Sequence, residues 1–159
     1  MVTYHSAQIC LNGHMVNSSF DLSPESSHPF CSKCGSRTIT SCPSCGAKLH
    51  GKRDYGYVVI TNSNPVESYC YNCGNPYPWT ESAISSISLL IQEEDELSDQ
   101  LKSSIIASLP DVISETPKTN LAVVRFKKCF TVAGKFTTDA LRQFAIDFGC
   151  ELFLKSLGL

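Results

Sequence analysis

The residues with the clearest chemistry are nine cysteines, at positions 10, 31, 34, 42, 45, 70, 73, 129 and 150 of a 159-residue chain. Six of them form three C-x-x-C pairs: Cys31/Cys34, Cys42/Cys45 and Cys70/Cys73. Cys10 opens the run Cys10-Leu11-Asn12-Gly13-His14, which puts an imidazole four residues after a thiol. This spacing has a geometric meaning. A tight turn aims two sulfurs at one centre, and its backbone N–H groups can donate to the thiolates and steady their charge. Gly35, Gly46 and Gly74 each follow the second cysteine of a pair, where the turn calls for a positive φ. Cys10, His14, Cys31, Cys34, Cys42, Cys45, Cys70 and Cys73 together supply eight ligands, enough for two tetrahedral Zn2+ ions per chain.

Other uses of the same residues are less well served. A disulfide framework needs an oxidising compartment, and Met1 to Cys10 has neither the basic nor the apolar region of an export signal, so a cytoplasmic location is expected. Thioredoxin-like chemistry would use one C-x-x-C beside a βαβ pattern, which is missing. An iron–sulfur cluster stays open as a minor alternative, because ligand softness alone does not separate the metals. Two pairings are physically sensible. In the sequential one, Cys10, His14, Cys31 and Cys34 hold one ion and Cys42, Cys45, Cys70 and Cys73 the other. In the crossed one, as in RING domains, the first pair joins the third and the second joins the fourth. The sequential pairing is favoured, since each hairpin then closes its own site across loops of 16 and 24 residues with the smaller entropic cost. His14 stands one residue beyond the usual second ligand position, with Gly13 before it. His28 or a water is the alternative fourth ligand of that site. His5 and His50 lack partner spacing and read as surface or packing residues.

Phe30-Cys-Ser-Lys-Cys-Gly35, Cys42-Pro-Ser-Cys-Gly46 and Tyr69-Cys-Tyr-Asn-Cys-Gly74 resemble a double zinc ribbon, in which an aromatic residue often precedes the second knuckle of each ribbon. With Ile9-Cys-Leu-Asn-Gly-His14, Thr38-Ile39, Pro76-Tyr-Pro-Trp-Thr80 and Thr116-Pro-Lys-Thr119, most of the chain resembles a family of uncharacterised bacterial zinc-ribbon proteins known only as a domain of unknown function. The resemblance implies a bacterial, intracellular, zinc-binding protein and no particular reaction. The chain departs from a generic double ribbon where His14 replaces a cysteine.

The elements that must position these ligands follow from the texture of the chain. The expected fold class is α+β: a small β-rich double zinc ribbon over 1–79, then a helical module of about four helices over 80–159. Arg37 to Thr40 is β-prone, Tyr55 to Thr61 is the best strand by composition, and Asn62 to Pro65 is a turn cluster. Polar, proline-containing Ser18 to His28 reads as a loop. Thr80 is expected to cap a first helix carrying Ile84, Ile87 and Ile91, and Ser98 a second carrying Leu101, Ile105 and Leu109, interrupted by Pro110. A third helix is expected over 119–133 with Leu121, Val124 and Cys129 among its apolar positions, ending at Gly134. A fourth is expected from Thr137 or Thr138 towards Ser156, with a buried stripe from Leu141 to Leu152. Cys129 and Cys150 fall within these helices as small hydrophobes.

Composition narrows the function. A net charge of −2 argues against a protein that coats DNA, and no apolar run reaches the ~18 residues of a membrane span. Charge is segregated: residues 80–115 carry one basic and eight acidic side chains, and residues 116–159 carry seven and three, which suggests an acidic helical layer facing a basic one. Both metal sites are closed by four protein ligands, and no H-E-x-x-H, complete deaminase signature, phosphate loop or nucleophile elbow is present, so no enzyme is expected. A catalytic zinc at an incompletely closed first site is the enzymatic alternative. The expected function is a binding or adaptor module whose zinc ribbons recognise a macromolecule, with protein the expected partner, and whose C-terminal helices mediate assembly, a homo-oligomer included. The alternative is nucleic-acid binding through Lys52, Arg53 and the basic helices, where Arg125, Lys127, Lys128, Lys135 and Arg142 cluster. Tyr55, Tyr57, Tyr77 and Trp79 could stack bases or grip a peptide, but such residues more often cover the thin core of a small metal domain.

Overall fold

Strands of two to five residues cannot hold a sheet by side-chain burial alone, so the first half of the chain relies on turns that return each strand to a neighbour. The computed structural model describes residues 3–56 and 65–159. In it β1 (Thr3–Ser6) runs antiparallel to β5 (His50–Asp54), with Tyr4 opposite Arg53 and Ser6 opposite His50 across a register shift. A second sheet places β2 (Gln8–Cys10) between β3 (Met15–Asn17) and β4 (Thr38–Ile39), all antiparallel. Five helices follow: α1 (Pro78–Glu93), α2 (Asp99–Ile113), α3 (Thr119–Val132), α4 (Lys135–Phe148) and α5 (Glu151–Leu157). The fold is α+β, and it divides into two compact units, Met1–Ser82 and Ala83–Leu159.

The first unit departs from the sequence reading at the longest strand among the described residues. That strand is His50–Asp54, a polar run with little strand propensity, and Tyr55 and Gly56 lie beyond its end. The rest of the expected strand, 57–61, and most of the expected turn cluster lie outside the described residues. Backbone proximity explains β5: a Cβ on Gly51 would stand 2.1 Å from the Ser18 carbonyl oxygen, which accepts from Lys52 N–H at 2.7 Å. Only glycine lets the two segments approach so closely. Ser18 to His28 is a loop as expected, with a single 3-10 turn at Pro24–Ser26.

The second unit has its own apolar core. Ile105, Leu109 and Val112 of α2, Ala122, Phe126 and Cys129 of α3, Leu141 and Ala145 of α4, and Phe153 of α5 are fully buried. Phe126 and Phe153 meet edge to face, with ring centres 5.1 Å apart. Ser98 caps α2 as expected, accepting from Leu101 N–H. Four expectations are corrected. First, α1 begins at Pro78, two residues before Thr80. The Tyr77 carbonyl accepts from Thr80 and Glu81, proline suits the first helical position, and the Thr80 hydroxyl donates to the Ser68 carbonyl. Second, α2 passes through Pro110 to Ile113, because buried Val112 and Ile113 hold the last turn in place and Ser114 N–H closes it on the Pro110 carbonyl. Third, α3 buries Thr119, Ala122, Val123, Phe126 and Cys129, leaving Leu121 and Val124 exposed. Fourth, the expected last helix is two. Gly149 and Cys150 break it, Cys150 N–H donates to the Val112 carbonyl, and the buried position moves from Leu152 to Phe153.

The expected facing of acidic and basic layers takes another form. Among the described residues no ion pair joins the acidic stretch 80–115 to the basic 116–159. Charges instead meet neutral groups: Arg125 donates to Ser108 Oγ at 2.7 Å and to the Ser104 carbonyl, and Glu94 accepts from Gly134 N–H. Hydrogen bonds from a charged group to a fixed neutral partner avoid immobilising two flexible ionic side chains at once. No helix among the described residues is long and apolar enough to cross a membrane.

Candidate metal centres

Each C-x-x-C pair sits at the tip of a minimal hairpin. Cys31 N–H donates to the Ser36 carbonyl, Cys42 N–H to Ala47 and Cys70 N–H to Asn75. Gly35, Gly46 and Gly74 donate back to the carbonyls of Cys31, Cys42 and Cys70, with φ between 72° and 76°. Single bridges Phe30–Arg37, Ser41–Lys48 and Tyr69–Pro76 close the hairpins. The Cys10 knuckle is one residue tighter. Gly13 N–H donates to the Cys10 carbonyl, Cys10 N–H to the His14 carbonyl, and His14 N–H approaches Cys10 Sγ at 3.3 Å. Glycine and ligand have exchanged order, and the ligand is the residue that closes the turn. A side chain longer than cysteine is needed to reach back, and His14 does so through Nδ1.

These knuckles form two groups, Cys10, His14, Cys31, Cys34 and Cys42, Cys45, Cys70, Cys73, with the ligand atoms of each within 4.8 Å of one another. The grouping is sequential, and His28 is not part of it. The backbone of His28 is engaged instead, its carbonyl accepting from Gln8 Nε2 and Thr38 Oγ1. Dimensions within the groups discriminate between chemistries. Sulfurs stand 3.7 Å apart for Cys10/Cys34, 3.7 Å for Cys45/Cys70 and 3.8 Å for Cys42/Cys73. A disulfide would hold them at about 2.05 Å. The edge of a tetrahedron with 2.3 Å metal–sulfur bonds is about 3.8 Å. His14 Nδ1 lies 3.5 Å from Cys10 Sγ and 3.6 Å from Cys31 Sγ, against about 3.6 Å for the mixed nitrogen–sulfur edge of such a site. Both groups therefore have the dimensions of a four-coordinate metal site.

The thiols are graded by their surroundings. Cys10, Cys31, Cys42 and Cys70 are buried, whereas Cys34, Cys45 and Cys73 face solvent. The Ser36 N–H, aided by the Asn12 amide, brings the Cys34 thiol down to about 6. The Ala47 N–H and the Asn72 side chain lower Cys45, with Asn72 Nδ2 3.5 Å from its sulfur. For Cys70, burial acts upward but the Cys73 and Asn72 N–H groups outweigh it, and the thiol falls to about 6. Burial raises Cys10. At Cys73 the Asn75 N–H favours the thiolate, but burial and three neighbouring thiols prevail and push it up to about 12. Such a gradient is expected when several thiolates share a site: the first are stabilised by dipoles, and the last needs a cation.

Residues outside the ligand set brace the knuckles within each group. Asn12 Nδ2 donates to Ser36 Oγ at 2.8 Å, joining the two knuckles of the first group as Asn72 joins those of the second. Both asparagines occupy the same place in a C-x-N run, which is the sequence signal for this role. Tyr77 and Trp79 are buried and stacked at 4.7 Å, and Trp79 donates to the Glu67 carbonyl, so these two cover the core as expected. Trp79 also fills the space against Gly13, where an added Cβ would meet it at 3.1 Å. Neither His5 nor His50 joins a metal group. His5 lies between Asp21 and Asp54, and His50 pairs with Glu67.

The family model described as "Uncharacterized protein conserved in bacteria (DUF2321)" matches residues 3–157. No curated protein and no solved structure matches the chain.

Proposed function

The chain belongs to this conserved bacterial family, and on that footing we propose that it is a two-zinc binding module. Its ribbon unit recognises a protein, and its helical unit mediates assembly. The observation that supports the reading is the pair of four-residue groups: each offers four candidate ligand atoms at tetrahedral spacing, a set that would fill a four-coordinate site without a reactive water. Zinc suits such thiolate-rich tetrahedral sets better than octahedral, oxygen-loving ions. The ions then act on folding, contributing on the order of 10 kcal/mol per site, as in small zinc peptides. Catalysis has no part in this reading. Free thiols at metal-edge separations suit a reducing compartment, consistent with a cytoplasmic protein.

Assembly through the helices is supported by the surface of the second unit. A shallow apolar groove of about 370 Å³ runs between α1 and α4, lined by Ile87, Leu90, Phe144 and Phe148, and Phe136 nearby is 77% exposed. The nucleic-acid alternative draws less support. Arg125 is held by α2 and Arg142 lies over Phe130, so two of the five clustered cations serve the fold. Metallation adds −2 at a four-thiolate site and −1 at a site of three thiolates and an imidazole, which turns residues 1–79 from +1 to about −2. That is a poor footprint for phosphate. The test is metal content and partner class together. The reduced protein should carry two zinc ions per chain by mass spectrometry, and the loaded form should recover a protein partner that the zinc-stripped form does not. Loss of the partner to nuclease, with steeply salt-dependent oligonucleotide binding, would replace this reading by the nucleic-acid one.

A further inference from the structure

Three rings from separate stretches of the first unit stack in a column outside the ligand set. Tyr4 of β1 lies on His50 of β5 with centres 4.0 Å apart and planes within 13°. His50 lies on Tyr71, the residue after Cys70, at 3.9 Å and 7°. Glu67 Oε1, 2.8 Å from His50 Nδ1, fixes the rotation of the middle ring. At one end the Arg53 guanidinium lies over Tyr4, 5.2 Å from its centre. At the other end Tyr71 is 54% exposed, and among the described residues its ring contact is with His50 alone.

A ring held at the end of a rigid column offers a π face at little cost in side-chain entropy. Flat partners for such a face are a nucleobase or a guanidinium. Local charge separates them. Tyr71 sits in the knuckle between Cys70 and Cys73, whose four-thiolate group carries −2 when loaded with a divalent ion, and the Glu67 carboxylate stands beside the column. These charges repel phosphate and attract a cation. Arg53 on Tyr4 already makes the same kind of contact from within the chain. We propose that the outer face of Tyr71 is a docking point for an arginine side chain of a partner protein. The proposal rests on the protein-binding reading above and gives that reading a place and a chemistry.

The test uses the full zinc-loaded chain and three labelled probes: a six-residue Gly-Arg repeat, its Gly-Lys counterpart and a twelve-nucleotide thymidine strand, followed by fluorescence anisotropy at low salt. The arginine peptide should bind several-fold more tightly than the lysine peptide. Tyr71→Leu, which keeps bulk but removes the π face, should weaken the arginine peptide about threefold to tenfold, whereas Tyr71→Phe should bind like the parent. Two zinc ions per chain in each variant would show that the scaffold is intact. Equal binding by Tyr71→Leu, no preference for arginine over lysine, or a thymidine strand that binds tightest and is lost in Tyr71→Leu would each overturn the docking point. If Tyr71→Leu keeps the partner recovered with the parent chain, this inference fails and the binding-module reading stands. If neither form recovers a protein, the reading itself fails.

Discussion

His14 shows how one side chain fits a candidate metal knuckle with a shortened loop. Its turn closes on the ligand residue itself, and Nδ1 reaches the position that a sulfur occupies in the other three knuckles. His14→Ala should therefore leave a three-ligand first site that loses zinc to a chelator first, with the second site unaffected. His14→Cys should retain zinc less well than the parent, although thiolate is the stronger ligand, because its sulfur falls short of the centre. Competition with a chromogenic chelator measures both, and a His14→Cys protein as retentive as the parent would contradict the reach argument. Acid should act through the most stabilised thiolates. Cys34 and Cys70 are depressed from the usual 9.0 to about 6 by backbone N–H donors, so their thiolates persist above about pH 6 and are lost as the pH falls through it. Bound metal deepens that preference, so zinc should stay bound at pH 6 and leave only on further acidification. Asn72→Ala removes a donor to Cys45 and should shift release of one of the two ions to higher pH. Dialysis over a pH series with metal analysis would show both; a release midpoint above pH 6 in the parent would contradict the assignment.

The segments between the ligands act as clasps. Gly13 combines φ of 85° with contact against Trp79, so Gly13→Ala adds backbone strain and a steric conflict at once. Its expected cost is about 1–3 kcal/mol, read in denaturant through the emission of Trp79, the chain's one tryptophan. The Thr116 to Thr119 run is a clasp of another kind. Thr116 Oγ1 donates to Asp111, and buried Thr119 donates to the carbonyls of Asp111 and Ser114, which fixes the turn from α2 into α3. Phe153 on α5 closes the helical core against Phe126. Phe153→Ala should cost about 3–5 kcal/mol, seen as earlier loss of helical ellipticity in a melt, while the zinc content stays at two per chain. A melt unchanged by that substitution would mean α5 adds nothing to the core.

The two units draw on different sources of stability. Among its described residues the ribbon unit has strands of at most five residues and few large buried side chains, Tyr77, Leu49 and Trp79 among them, so the proposed metals are expected to supply part of its stability. The helical unit buries residues from all five helices and holds no metal group among the described residues. Chelation should therefore red-shift Trp79 emission as its environment opens, while most of the helical signal at 222 nm survives. Simultaneous loss of both would show that the helical unit depends on the ribbon, and loss of neither would remove the structural role assigned to the metal.

The C-x-x-C spacing carried the two groups of candidate ligands in the sequence, because short turns have few ways to aim two sulfurs and their geometry is local. Helical periodicity likewise announced the helices, since each makes its hydrogen bonds within itself. The face that a helix buries was not legible: α3 turns Leu121 and Val124 outward and buries Ala122, Val123 and Phe126, the last packed against Phe153 of α5. The course of α2 through Pro110, the break at Gly149 and the strand status of His50–Asp54 also depended on contacts from distant segments. The ring column is the extreme case. Tyr4, His50 and Tyr71 share no spacing, and only the return of three separate segments to one surface brings their rings within 4.0 Å. Local turns and periodic helices are encoded by neighbours in the chain, whereas faces, breaks and stacks are decided by packing between residues far apart in it.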